Sequence, residues 1–311
     1  MAVAPEQPVL SVVVAATDGP AALRRLLADL AAQRDAPAPE VIVVDGTGRI
    51  ASEDLTGLPR GTEARLFAAA GADVVVLRAV GARAARGELL ALTEDHCRLP
   101  ADWCAMLLRA RAAGHRAFGG PIDNGSFRAS PDWAAYLLEY SAFMPPLPAG
   151  PTHSLSAMNA AYERALIEDV LDDALCEPIV HRRLRERGVA LHLEPALVVR
   201  FERRFGVGPF TRHCFASGRT FASLRMARAP IPRRLAYALG GATALPLILT
   251  LRIGARVFAR RRAGKAFLLA LPWVVLYTTA WGLGEAAGAL APRLTGPEVT
   301  PPGVASWPDR R

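Results

Sequence analysis

The sequence predicts an α/β protein built on a mostly parallel sheet, followed by membrane-associated helices, and three observations carry that reading. Short apolar runs ending in acidic or glycine-rich turns recur at Val9–Ala16, Glu40–Val44, Asp73–Leu77 and Leu89–Leu92. Such runs read as strands buried on both faces. Stretches with helical periodicity lie between them, and this alternation implies βαβ units with right-handed crossovers. Two long uncharged runs come later, Leu235–Leu251 with 17 residues and Ala266–Gly284 with 19. A helix that spans a bilayer needs about 20.

The elements follow in order. Val9–Ala16 is a strand closed by Thr17-Asp18-Gly19-Pro20, a turn with helix-start chemistry. Leu23, Leu26, Leu27 and Leu30 then give the stripe of an amphipathic helix. Glu40–Val44 is the second strand and ends at Asp45-Gly46-Thr47-Gly48; Asp73–Leu77 reads as the third. Residues 79–87 read as helical before the strand at 89–92, and Asp102–Ala113 as a further helix. Residues 119–160 are rich in Gly, Pro, Asn and aromatics and read as loops across the mouth of a site. The helical pattern returns at 162–173 and 176–187, and Leu191–Val199 reads as a late strand.

Beyond residue 209 the character changes. Residues 210–228 form a basic, aromatic helix, with Phe210, Phe215, Phe221 and Leu224 among Arg212, Arg219, Arg225 and Arg228. Two readings are open for it: a helix lying against a membrane, or a core-packed helix with an arginine-rich outer face. Each uncharged run contains a proline, Pro246 or Pro272, which membrane helices tolerate. The loop between them carries Arg252, Arg256, Arg260, Arg261, Arg262 and Lys265. A crossing hairpin with a cytoplasmic amino-terminal domain would place this basic loop outside, against the positive-inside tendency, which leaves segments that are re-entrant or interfacial, or one that does not span. Residues 292–311, with five prolines, read as a disordered tail.

The net charge of +8 is unevenly placed: residues 229–311 hold 11 basic and 3 acidic side chains, and the rest of the chain is balanced. A basic segment that is also the most apolar points to a membrane surface. Nucleic acid is not expected as a partner, since no basic, aromatic patch lies in the folded part. Cys97, Cys104, Cys176 and Cys214 show no CxxC spacing and read as reduced structural thiols of a cytosolic domain. The apolar run after the lead 1–8 lacks a basic n-region, so it reads as a strand rather than a signal peptide. The expected location is the cytoplasmic (inner) membrane, with the amino-terminal domain on the cytoplasmic side.

Leu89-Leu-Ala-Leu-Thr-Glu94-Asp95-His96 is the most informative stretch. Its apolar run ends abruptly in two carboxylates and an imidazole. The carboxyl ends of strands in open α/β sheets border the ligand crevice, and crowded carboxylates there suit a hard divalent cation carrying phosphate oxygens.

These segments resemble an inverting glycosyltransferase of family 2, which has the GT-A fold, over roughly residues 9–228. Ser11–Thr17 resembles the opening strand at the nucleotide pocket, and Val41-Ile-Val-Val-Asp45-Gly46 the strand whose terminal Asp contacts the base or ribose. Arg78-Ala-Val-Gly81 is similar to the family's Ala-Arg-Asn-x-Gly segment, with Ala79 where Asn is usual. Residues 92–96 occupy the place of the Asp-x-Asp metal motif. Ala157-Met-Asn159 resembles the acceptor-side segment, and Cys176-Glu177-Pro178 the Glu-Asp pair that leads into a helix. Thr93 stands where the first Asp of the metal motif is usual, Pro178 replaces the Asp of the pair, and the Gln-x-x-Arg-Trp motif of processive synthases is missing.

The resemblance implies a GT-A domain over 9–209, a juxtamembrane helix over 210–233 and two membrane segments over 234–291. It implies a nucleotide-diphosphate sugar as donor, contacted by Thr17, Asp18, Asp45, Arg78, Gly81 and Glu94, and a lipid-linked or saccharide acceptor. Asp95 and His96 are the metal candidates, for Mg²⁺ or Mn²⁺, and Glu177 is the catalytic candidate. Trp103, with Trp133 and Tyr136, suits stacking on a sugar or packing in the core, and Asn159 is an acceptor candidate. Glu177 also suits a structural helix-start carboxylate, His96 a loop histidine, and Arg78 either a diphosphate or a carboxylate. A dehydrogenase is disfavoured, since the first turn has one glycine where G-x-G-x-x-G is needed. A nucleotidyltransferase would carry a Gly-rich, Lys/Arg-bearing loop there. The standing alternative is a membrane-tethered pseudo-glycosyltransferase that binds without turnover.

Overall fold

The computed structural model describes residues 8–58, 61–125, 129–226 and 228–291, the side chain of Leu224 excepted. Residues 1–7 of the lead and the tail at 292–311 lie outside the described residues. In chain order the elements are β1 (Leu10–Ala16), α1 (Pro20–Ala31), β2 (Glu40–Asp45), β3 (Ala64–Ala68), α2 (Val74–Ala84), β4 (Leu89–Glu94) and β5 (Cys97–Arg98). They continue with α3 (Trp103–Ala112), β6 (Ala117–Gly119), β7 (Ile122–Asn124), α4 (Ser130–Tyr140), β8 (Gly150–Thr152), β9 (Ala160–Glu163) and α5 (Arg164–Glu168). The last are α6 (Glu177–Glu186), β10 (Leu191–Leu193), β11 (Val199–Phe201), α7 (Val207–Met226), α8 (Ile231–Ala259) and α9 (Gly264–Leu290).

Eight strands form one sheet in the order β3-β2-β1-β4-β9-β6-β10-β8, and β5-β11-β7 form a second, short one. β3, β2, β1 and β4 are mutually parallel, as are β6 and β10. β9 runs antiparallel to β4 and β6, and β8 to β10. The mostly parallel α/β sheet and the two C-terminal apolar helices expected from the sequence are therefore both present. The apolar runs behave as read: every residue of β1, β2 and β4 is buried. So are Leu23, Leu26, Leu27 and Leu30 of α1.

Four local expectations are corrected. Asp73–Leu77 is not a strand. Asp73 caps α2 by accepting from the Val75 N–H at 3.2 Å, and the β-branched run Val74-Val75-Val76 forms the first turn of the helix. The third parallel strand is instead Ala64–Ala68, an edge strand whose side chains are half-buried or exposed and so give no apolar run. Residues 119–160 are not all loop. Ser130-Pro131-Asp132 opens α4, with proline in the first helical turn, where its missing N–H costs nothing. Residues 162–173 divide into the end of β9 and the short α5, while Leu191–Val199 divides into β10 and the start of β11.

At the amino ends of the strands, Glu40 is buried and fully engaged. Ser11 Oγ donates to it at 2.5 Å, the Arg86 N–H at 2.9 Å and the Arg65 guanidinium at 2.6 Å. Close packing of α2 on β1 depends on Gly81. A Cβ there would lie 2.3 Å from Val13 Cγ1, inside any allowed contact.

The chain divides into two units, one comprising 8–123 and 145–201, the other 124–144 and 202–291. The insertion holding α4 thus belongs with the C-terminal helices. In that second unit α9 is central, packed by α7, α8 and α4. Glycines permit the approach: a Cβ on Gly284 would meet the Phe215 carbonyl at 2.1 Å, one on Gly288 the Arg219 carbonyl at 2.2 Å, and one on Gly282 the Gly241 carbonyl at 2.3 Å. This is the small-residue packing by which apolar helices bring their backbones together. Both α8 and α9 are long and apolar enough to cross a membrane.

Candidate functional site

The pairings Ala15↔Glu94 and Ala16↔Asp45 bring the carboxyl ends of β1, β2 and β4 level. The turns after these strands therefore meet at one edge of the sheet, and most of the sequence-predicted polar residues converge there. Asp95, just past β4, is buried and turns its carboxylate onto the first β–α turn. Oδ1 accepts from the Thr17 N–H at 3.1 Å, and Oδ2 from the Asp18 and Gly19 N–H groups at 2.8 and 3.0 Å. Those donors are backbone amides of the turn that leads into α1, a place suited to an anion. A side chain from another strand thus fills that place. Burial pushes the Asp95 carboxyl up, but His96 and the Asp18 and Thr17 amides outweigh it and hold the group below its ordinary value.

His96 is buried beside it, with Nδ1 3.5 Å from Asp95 Oδ1, Nε2 3.4 Å from Glu94 Oε2, and its ring edge-on to Phe201 at 5.3 Å. Arg78, from α2, continues the series. Its Nη2 donates to Glu94 Oε1 at 2.5 Å and its Nη1 to Glu177 Oε1 at 3.0 Å. Glu177 is the first residue of α6, and its Oε1 also accepts from the Ala157 N–H at 3.3 Å. Asp95, His96, Glu94, Arg78 and Glu177 thus form one connected series from the α1 turn to the start of α6.

Atoms of Asp18, Asp95 and His96, one from each, lie within 4.8 Å of one another. Two carboxylate oxygens and an imidazole nitrogen are a donor set that accepts Mn²⁺ more readily than the all-oxygen preference of Mg²⁺. Three backbone N–H groups already bind Asp95, so a cation would share that carboxylate with the turn. Asp18 joins the metal candidates here, whereas the sequence suggested only a donor contact for it.

The remaining predicted residues divide. Asp45 ends β2, but its carboxylate is turned into its own loop, accepting from the Thr47 N–H and Oγ1 at 2.7 Å each and from the Ile50 N–H at 3.0 Å. Gly81 lies in the α2–β1 packing, away from the polar series. Trp103 and Asn159 are fully buried and bonded to each other, Trp103 Nε1 donating to Asn159 Oδ1 at 3.0 Å. Asn159 Nδ2 donates to the Pro121 and Leu197 carbonyls at 3.1 and 2.6 Å. Their polar atoms join the start of α3 to the segments next to β9, β7 and β11. Tyr136 is likewise a core residue of the second unit, edge-on to Trp133 at 5.7 Å.

One residue escaped the sequence reading. Arg49 is exposed on the loop after β2, and its Nη2 donates to the Asp18 carbonyl at 3.2 Å. Its position in Asp45-Gly-Thr-Gly-Arg49 was the available signal, a cation delivered by a tight turn at a strand end. A scan against models of known protein families and a search of curated proteins both return no match to this chain.

Proposed function

We propose that this chain is an inverting, non-processive glycosyltransferase of the GT-A class, moving a sugar from a nucleotide-diphosphate donor to a lipid-linked or envelope acceptor. The observation that carries the reading is the series Asp95–His96–Glu94–Arg78–Glu177 at the carboxyl ends of parallel strands. Inversion by direct displacement needs a base on the acceptor hydroxyl and positive charge on the departing diphosphate. Glu177 is the base. Arg78 and the Ala157 N–H hold its Oε1, and Oε2 is the oxygen assigned to take the acceptor proton. As Glu177 Oε2 takes the proton, the acceptor oxygen attacks the anomeric carbon, and the bond from this carbon to the diphosphate breaks on the opposite face. Arg49 and Arg78 supply fixed positive charge near the leaving group. A divalent ion held by Asp18, Asp95 and His96 would neutralise further charge on the departing diphosphate. The apolar helices hold the chain at the cytoplasmic face of the inner membrane, close to a lipid-borne acceptor.

A second reading, a pseudo-glycosyltransferase that binds without turnover, is favoured by one feature: Asp95 and Glu94 are both engaged internally. One experiment separates the two. A panel of nucleotide sugars is screened by thermal shift with and without Mn²⁺, since a ligand that binds only the folded state raises its stability. Released nucleotide is then measured for each sugar that binds. Glu177→Gln should keep donor binding and lower turnover by about 10²–10⁴-fold, the usual weight of a general base. A shift with no nucleotide release in the parent protein supports the second reading. No shift with any donor sinks both.

A further inference from the structure

The two apolar helices are long enough to cross a bilayer, but their packing within the second unit argues for another arrangement. α7 runs parallel to the second half of α9: Phe210 packs edge-on against Tyr277 at 4.7 Å, and the Phe215 and Arg219 carbonyls face Gly284 and Gly288. Tyr277 is the midpoint of α9. Immediately after Phe210 come Arg212 and His213, both exposed, and His213 Nε2 is 3.4 Å from Glu139 Oε1 of α4. An upright α9 would carry this charged group to the centre of the hydrocarbon, the costliest depth for it.

The exposed side chains of α9 give the alternative. Leu268, Pro272, Val275, Leu276, Leu283 and Leu290 recur at helical spacing and make one uncharged stripe along its length. The other sides of α9 are occupied by α7, α8 and α4. On α8, Leu235, Leu239, Leu247, Leu251 and Phe258 are likewise exposed. The hairpin is basic at both ends: Arg252 and Lys265 are exposed near the turn, Arg228 and Arg233 at the start of α8. An exposed apolar stripe with cations at both ends suits a helix lying in the interface of an anionic membrane.

We propose that the α8–α9 hairpin lies along an anionic lipid surface, its exposed stripes at the acyl boundary and its basic turn among lipid phosphates, and does not cross. The polar side chains of α7 and α4 then stay in water. The conflict between a basic turn and the positive-inside tendency also disappears, because no loop is translocated. The proposal is independent of the glycosyl-transfer reading.

The test uses the full chain bearing Cys176→Ser, which leaves the buried Cys97, Cys104 and Cys214. Single cysteines are placed at four exposed positions, Arg212→Cys, Lys265→Cys, Leu247→Cys and Leu268→Cys. The protein is added to preformed phosphatidylcholine vesicles containing phosphatidylglycerol, and a membrane-impermeant maleimide is applied before and after lysis. The expected result is full labelling at 212 and 265 on intact vesicles, with protection at 247 and 268. Binding should fall roughly tenfold or more when phosphatidylglycerol is omitted. Labelling at 265 only after lysis would show a crossing hairpin and overturn the proposal. Equal binding with and without anionic lipid would overturn it, as would protection at 247 and 268 without vesicles, accompanied by cross-linking of two copies.

Discussion

Asp95→Asn separates two roles for the residue at the centre of the site. The carboxylate anchors the first β–α turn through three backbone N–H groups. Asparagine has the same shape, but one of its terminal atoms is a donor. In its better orientation it keeps the Asp18 and Gly19 bonds and sets an NH₂ against the Thr17 N–H. One charge-assisted bond is then lost, at about 1.5–3 kcal/mol, and a buried donor is left unmet, so the total is about 3 kcal/mol. For a unit of this size each kcal/mol moves the melting temperature by roughly 2–4 °C, giving a fall of about 6–12 °C. The assay is far-UV circular dichroism of the full chain in detergent with a chelator present. A carboxylate whose only task is to hold a cation behaves in the opposite way. Without metal its removal relieves repulsion from Asp18 and Glu94, and melting stays level or rises. A metal-free Asp95→Asn protein that melts at or above the parent would refute the anchoring role.

Three further outcomes follow from the same geometry. Arg78→Gln leaves the Glu94 and Glu177 carboxylates without their shared cation and should cost about 3 kcal/mol in chemical denaturation; Arg78→Lys should restore only part, because a point charge cannot reach both as a planar fork does. Gly81→Ala should destabilise by about 1–3 kcal/mol through overlap with Val13, and Val13→Ala in the same chain should recover much of it. His181 donates to or accepts from Tyr162 Oη at 2.8 Å, and burial pushes its pKa down from 6.5 to about 4. The unfolded chain therefore takes up this proton first as the pH falls. Stability from this residue is complete above pH 6.5 and declines by about 3 kcal/mol towards pH 4. His181→Leu should flatten that segment of the pH–stability curve, and an unchanged slope would exclude His181 as its source.

The elements that were legible in the sequence are those whose burial is one-sided or complete along their own length. β1, β2 and β4 are continuous apolar runs because both faces are covered, and α1 carries its leucines at helical steps. Val74-Val75-Val76 misled for a local reason: three β-branched residues favour a strand by propensity, but the Asp73 cap and the burial of Leu77 and Val80 against the sheet override it. β3 was invisible because an edge strand needs no apolar alternation. In the site, the acidic strand end marked the right place. The partners of its groups could not be read: Asp95 reaches amides 76–78 positions earlier, and Arg78 reaches Glu177 at a separation of 99. Those distances are closed by strand order, which local pattern does not encode. The same holds for Trp103 and Asn159, whose residue types suit a sugar site and whose buried bond to each other spans 56 positions.

The glycines of α9 bear on whether the hairpin is detachable. A helix that only tethers a domain can be deleted, leaving a soluble remainder with an unchanged surface. Here the Phe215 and Arg219 carbonyls lie against bare backbone at Gly284 and Gly288, and the unit that contains α9 also includes α4, which is threaded between β7 and β8. Ending the chain after α7 would strip the face on which α7 and α4 pack. The shortened protein should aggregate or lose these two helices. The hairpin is therefore an internal support of the fold, and its relation to the lipid has to be studied with the chain intact.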